Sequence, residues 1–234
     1  MVREGAFGLS DMQQFYTLVQ VRRRGGQKAA HAGLWSWRNW YNAAMSQIPK
    51  DQIANFREST PSVMKLRLEE QEVCQYWGVI FAPKAVPSMT KQDMTGFLSY
   101  RQNKRWREIS KEDVTVDMPK LREAIGCLVN ESLAIAERLD ALEPGRGDLA
   151  VAHLGKAKLT PILLVSQPKL YGVWNDYSER ALTGMGVFPE FSPQWHLGAQ
   201  YTAVNAVLVG LASEYNVSLW WLDVILERIS RLTR

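Results

Sequence analysis

Apolar residues recur along most of this chain at the three- and four-residue spacing of an α-helix. The pattern predicts helices over 12–24, 28–46, 63–77, 91–106, 117–143, 158–165, 178–185, 199–215 and from 218 to the end. Asp117 followed by Pro119 is typical of a helix start. Only 79–81 and 114–116 look strand-like, and both segments are too short to build a sheet. The predicted fold class is therefore all-α, a helical bundle.

Prolines and a serine near the middle of the chain predict a linker. Pro83, Pro87 and Ser88 interrupt the helical pattern. We therefore expect two domains: a smaller helical region over 1–90, which is basic and rich in tryptophan, and a helical domain over 91–234.

Positive charge is concentrated in two stretches, although the net charge of the chain is only +4. Residues 12–50 hold six basic residues and no acidic one. A second cluster is interrupted only by Glu108 and consists of Arg101, Lys104, Arg105, Arg107 and Lys111. Such patches attract polyanions, although a solvated face that keeps the protein soluble explains them equally well.

Cysteine and histidine positions give no sign of a metal or cofactor. Cys74 and Cys127 lack the spacing of metal ligands and are expected to be reduced, buried thiols. His31, His153 and His196 are too far apart along the chain to form a metal-binding motif. Because the N-terminus lacks a signal-peptide core and no apolar run reaches membrane-span length, we expect a cytoplasmic protein without metal or cofactor.

The segment 152–165 resembles the helix-hairpin-helix of the DNA glycosylase superfamily, in which a glycine turn joins two short helices. The resemblance implies that Gly155, with Lys156 and Lys158 beside it, holds a phosphate on the amides of the second helix. Gly155 fits the second glycine of that motif, whereas His153 stands at the first.

The residues that would carry glycosylase chemistry are replaced. Asn175 occupies the place of the essential aspartate, and Ala157 that of the lysine of bifunctional members. An amide cannot carry the charge that stabilises an oxocarbenium-like centre, and alanine offers no amine. We therefore expect no glycosylase activity, and the sequence leans against an enzyme.

Several motifs lie within residues 94–231: Asn103-Lys104-Arg105-Trp106, Leu154-Gly155-Lys156-Ala157, Tyr171-Gly172-Val173-Trp174-Asn175 and Leu219-Trp220-Trp221-Leu222-Asp223. In these motifs the chain is similar to a family of bacterial proteins and modules that often accompany restriction-type nucleases and other mobile defence genes.

Two functions follow as hypotheses. The first is a non-catalytic protein of a restriction or defence system that binds nucleic acid, most simply DNA, through Gly155, Lys156, Lys158, Arg101, Lys104, Arg105 and Arg107. The second is a protein-interaction subunit without nucleic-acid contact, whose tryptophan-rich residues 28–46 bind a partner such as a nuclease. A pocket is expected from Tyr171, Trp174, Asn175, Asp176, Glu179 and Arg180. Core packing for the aromatic residues and a helix cap for Asn175 are the alternatives.

Overall fold

The computed structural model of the protein describes residues 63–99 and 113–232, which contain α-helices and no strand. The α-helices are α1 (Val63–Ile80), α2 (Lys91–Ser99), α3 (Met118–Leu128), α4 (Ile135–Ala141), α5 (Lys156–Ser166), α6 (Asp176–Gly184), α7 (Leu197–Glu214) and α8 (Leu219–Leu232). The all-α prediction is confirmed for this part of the chain. The helices predicted over 12–24 and 28–46, and the end of the one predicted over 91–106, lie outside the described residues.

Helix α5 lies in the middle of the core. Its seven residues from Leu159 to Val165 are all buried, so it has no polar face over this stretch. Helix α1 packs on α5, α4 packs on α7, and α8 packs on both α6 and α7. The start of α5 is the part of this helix that reaches the surface, since Gly155 and Lys156 are only partly buried.

The single helix predicted over 117–143 is wrong, because two helices, α3 and α4, occupy this stretch. Asn130 terminates the first, as its side-chain oxygen accepts hydrogen bonds from the backbone N–H (3.2 Å) and the hydroxyl (2.7 Å) of Ser132. Such a local bond offers the backbone an alternative to helix. Asp117 caps α3 as predicted, accepting the N–H of Lys120 at 3.0 Å.

The proline-containing segment between α1 and α2 is packed rather than extended. Phe81, Val86 and Met89 are buried, and residues 86–88 form one 3₁₀ turn that packs on α3. All described residues belong to one compact unit, and the boundary that we predicted near residue 90 falls inside it. The reason is the aromatic contact between α1 and α2, in which the rings of Trp77 and Phe97 meet edge to face at 5.1 Å.

Among the described helices, none combines the length and the apolar character that crossing a membrane requires.

Candidate functional site

The chain bends sharply before α5, at the segment that resembles a helix-hairpin-helix. His153 has a φ of 62°, in the left-handed region where histidine is several-fold enriched among the non-glycine residues. Gly155 is the N-cap of α5 and is extended, with φ −94° and ψ −174°, a conformation open to any residue. The left-handed residue of the bend is therefore His153, which stands at the first glycine position of the motif.

The tip of this bend is open. A Cβ atom built on Gly155 would meet nothing within 4 Å, and this N-cap offers no side chain to α5. The N–H groups of Lys158 and Leu159 bind the carbonyl of Gly155, at 2.8 and 3.0 Å. The amides of Lys156 and Ala157 precede them in the first turn, where helices leave N–H groups without an intrahelical partner. The backbone here has the form of an anion site.

The two lysines of the bend are held by groups of the protein itself. Lys156 Nζ lies 2.5 Å from the Oε2 atom of Glu179 and 4.1 Å from the centre of the Trp174 ring. Lys158 Nζ donates to the carbonyl of His153 at 2.5 Å, which braces the bend. Burial lowers the pKa of Lys158, and the nearby carboxylate of Asp113 opposes that effect.

Four other residues of the expected interface, Arg101, Lys104, Arg105 and Arg107, lie outside the described residues. The structure therefore gives the position of Gly155, Lys156 and Lys158 only.

The residues expected to form a pocket separate into distinct groups. Trp174, Asn175 and Glu179 come together at the start of α6, and the indole N–H of Trp174 donates to Glu179 Oε2 at 3.0 Å. Asp176 and Arg180 are exposed on α6 and contact each other, Arg180 Nε donating to the Asp176 carbonyl at 3.0 Å.

Asn175 is the N-cap of α6. This is the role that the sequence predicted as the alternative to a place in a pocket. Its Oδ1 atom accepts the N–H groups of Tyr177 and Ser178 at 2.9 and 3.0 Å, and its Nδ2 atom donates to Asp223 at 3.4 Å. Asn175 is buried, so this side chain is committed to holding the start of α6. Its neighbour Trp174 is also buried and is fixed by its backbone N–H, which donates to the Thr160 hydroxyl at 2.9 Å.

Tyr171 belongs to a separate buried network that the sequence did not indicate. Arg138, with its side chain 2% exposed, donates to Glu131 at 2.7 Å, to the Leu128 carbonyl at 2.8 Å and to the Tyr171 hydroxyl at 2.6 Å. The Tyr171 hydroxyl in turn donates to Glu131 at 2.8 Å. Burial alone would lower the pKa of Arg138, but the hydrogen bonds that Arg138 donates to Glu131 and Tyr171, together with the charge of Glu131, outweigh that effect and raise the pKa. This network joins α4 to the segment between α5 and α6 and is a structural element of the core.

A second group that the sequence missed is formed by Asp140, Glu143 and His196, whose donor atoms lie within 4.8 Å of one another. Among the described residues these three could hold a metal ion. They also have protein partners: Asp140 accepts the N–H of Gly198 at 2.7 Å, and Glu143 lies 2.8 Å from His196 Nδ1 and 3.6 Å from Arg146. These contacts attach the start of α7 to the end of α4, which accounts for the cluster without an ion.

No family model, curated protein or solved structure matches this chain. The two resemblances that the motifs carry, to the helix-hairpin-helix glycosylases and to the defence-associated bacterial family, therefore stay predictions.

Proposed function

We propose that this helical unit binds nucleic acid, most simply DNA, through the bend at 152–158, and that it does so without catalysis as part of a prokaryotic restriction or defence-type system. The observation that carries the proposal is the open start of α5 at Gly155, where the N-cap residue makes no side-chain hydrogen bond to the first-turn amides and a Cβ atom would meet nothing within 4 Å. Backbone amides at a helix start favour phosphate both by hydrogen bonding and through the helix dipole.

The conformation of the bend also supports phosphate binding at the start of α5. His153 takes the left-handed conformation that lets the chain turn before α5, and Lys158 braces the turn by donating to its carbonyl. A braced turn is preorganised, so little conformational entropy is lost when a phosphate binds. The basic cluster at 101–111 would add charge along the nucleic-acid backbone.

A non-catalytic role agrees with what Asn175 and Ala157 offer. The Asn175 oxygen already accepts two backbone N–H groups, so it is committed to capping α6. Ala157 has no nucleophilic group at the place where the glycosylase resemblance would require an amine. Phosphate binding therefore accounts for the bend without a reaction at the base.

The experiment is a salt titration. Binding of a fluorescent random-sequence DNA duplex is measured between 50 and 200 mM salt, where each phosphate contact contributes a slope of about −0.9 in log K against log salt. We expect a slope of about −3 or steeper, since under this proposal the bend and the basic cluster each contact phosphates. Absence of binding at 50 mM salt, or a slope near zero, would overturn the proposal.

The second function, a protein-interaction subunit, is supported by one surface of α1. Leu68, Tyr76 and Val79 lie on the same side of this helix, within about 80° of one another, and are all more than half exposed. Such exposed apolar residues are typical of contacts with another protein. This hypothesis predicts association that changes little with salt and weakens on Trp35→Ala or Trp40→Ala in the tryptophan-rich region, with Tyr76→Ser as a further variant on α1.

A further inference from the structure

One carboxylate oxygen connects the bend to the buried tryptophan beside it. Glu179 Oε2 accepts both the ammonium of Lys156, at 2.5 Å, and the indole N–H of Trp174, at 3.0 Å. The side chains of Lys156 and Glu179 are 31% and 38% exposed, so the pair lies at the surface and solvent reaches it. A partly exposed ion pair of this kind is weak, and another anion can compete for the lysine.

The two partners differ in how firmly they are held. Glu179 is on the first turn of α6, which the Asn175 cap and Ser178 fix in place. Its second contact, to Trp174, restrains the carboxylate further, because Trp174 is itself bound to Thr160. The Lys156 ammonium, by contrast, ends a flexible four-carbon stem on the first residue of α5. The lysine can therefore leave while the carboxylate stays.

Lys156 is also the first residue of α5, so its own amide is one of those at the open helix start. A phosphate bound there would lie within reach of this ammonium and close to the Glu179 carboxylate. The phosphate would attract the first and be repelled by the second. Glu179 thus opposes phosphate binding in two ways: it pairs with the Lys156 ammonium, and it places a negative charge beside the site.

We infer that Glu179 is an internal competitor for nucleic-acid phosphate, and that it lowers the affinity of the bend by holding Lys156 against Trp174. The inference rests on the proposed function and identifies the residue that sets its strength.

Glu179→Gln tests this directly, because glutamine keeps an oxygen for the Trp174 N–H and loses the charge. We expect the variant to bind the random DNA duplex about tenfold more tightly at 100 mM salt, from the loss of one like charge near a phosphate. Its salt slope should steepen by about one, the contribution of one added phosphate contact. Glu123→Gln on the exposed face of α3 changes the net charge equally and should leave both values unchanged.

The double variant Lys156→Ala/Glu179→Gln separates the lysine from the general effect of charge, and we expect it to lose the steeper slope. Two results would show that the competitor role is wrong while the proposed function stands, provided that the wild type binds DNA with a strong salt slope. In the first, Glu179→Gln binds DNA no more tightly than the wild type. In the second, the double variant, which lacks Lys156, keeps the steeper salt slope. If neither protein binds DNA at 50 mM salt, the proposed function itself fails, and the inference with it. Melting temperatures of the wild type and the three variants identify any variant that does not fold.

Discussion

The Lys156 ammonium lies 4.1 Å from the centre of the Trp174 ring, so the first residue of α5 covers the indole that precedes α6. Trp174 is only 2% exposed, and Phe191 approaches the same indole edge to face at 5.6 Å. A cation over an indole face is favourable, and Glu179 adds its charge to the pair. The bend and the start of α6, which the sequence suggested as separate features, are therefore in direct contact through Lys156, Trp174 and Glu179.

The buried network around Arg138 gives a stability prediction. Tyr171→Phe removes a hydroxyl that accepts from Arg138 and donates to Glu131. A buried donor left without its partner costs about 1–3 kcal/mol, and we expect the free energy of unfolding in urea to fall by that amount. Tyr76→Phe, at an exposed tyrosine, should change it by less than about 0.5 kcal/mol. Equal stabilities of the two variants would show that the network does not stabilise the fold.

Two helical glycines are expected to respond to alanine with opposite signs. A Cβ on Gly198 would lie 2.1 Å from the carbonyl oxygen of Ala136, so α7 must move away from α4. We expect Gly198→Ala to destabilise the protein by more than about 2 kcal/mol, as an overpacked core position does. Gly126 lies inside α3 and its nearest neighbour would be 4.0 Å away. Gly126→Ala should therefore stabilise the fold by about 0.5–1 kcal/mol. Chemical denaturation measures both, and a stable Gly198→Ala variant would contradict the close approach.

How far the sequence predicts this fold depends on the range of each interaction. The ends of α5, α6 and α7 lie within two residues of the predicted ones, because apolar periodicity and capping residues are local signals. The break after α3 was missed because the stripe from Leu121 through Ala136 keeps helical spacing across the turn at Asn130. A local hydrogen bond to Ser132 outweighs that periodicity.

The candidate site follows the same rule. Asn175 caps α6 through bonds to residues two and three positions along the chain, and the sequence predicted this cap as the alternative to a pocket role. The partners of Lys156 and Arg138 were not, since Glu179 is 23 residues from the first and Tyr171 is 33 residues from the second. Helical periodicity relates residues three or four apart, and it contains no information about such pairs. The sequence therefore predicts phosphate as the partner of Lys156, whereas the tertiary structure pairs this lysine with the carboxylate of Glu179.

Cys74 is expected to be an unreactive thiol at neutral pH. Burial, together with a smaller contribution from the neighbouring carboxylate of Glu70, raises its pKa to about 11. In a Cys127→Ser variant, the thiolate fraction at pH 8 should be about 100-fold lower than for a free thiol. The rate of iodoacetamide alkylation should then rise roughly tenfold per pH unit up to pH 10. A rate that levels off near pH 9 would contradict the raised pKa.

The group of Asp140, Glu143 and His196 tests the expectation that the protein needs no metal. We expect zinc or manganese at micromolar concentration to leave the melting temperature unchanged, because all three side chains already contact protein groups. Asp140→Ala should cost about 1 kcal/mol, since it removes a carboxylate that accepts an N–H at the start of α7. A zinc-dependent rise in melting temperature that His196→Ala abolishes would instead establish a metal site.

The central claim, that the open start of α5 binds phosphate, is tested by two substitutions at Gly155. Its extended backbone and free surroundings accept any side chain, and either Asp or Asn at this N-cap should stabilise α5 slightly. Asn covers part of the amides, whereas Asp also places a negative charge where the phosphate would bind.

The decisive measurement is the DNA affinity of Gly155→Asp relative to Gly155→Asn at 100 mM salt, with melting temperatures recorded for both. We predict that the aspartate variant binds the duplex at least about tenfold more weakly than the asparagine variant, although both melt at or above the wild-type temperature. Equal binding by the two folded variants would show that nucleic acid does not bind at the start of α5.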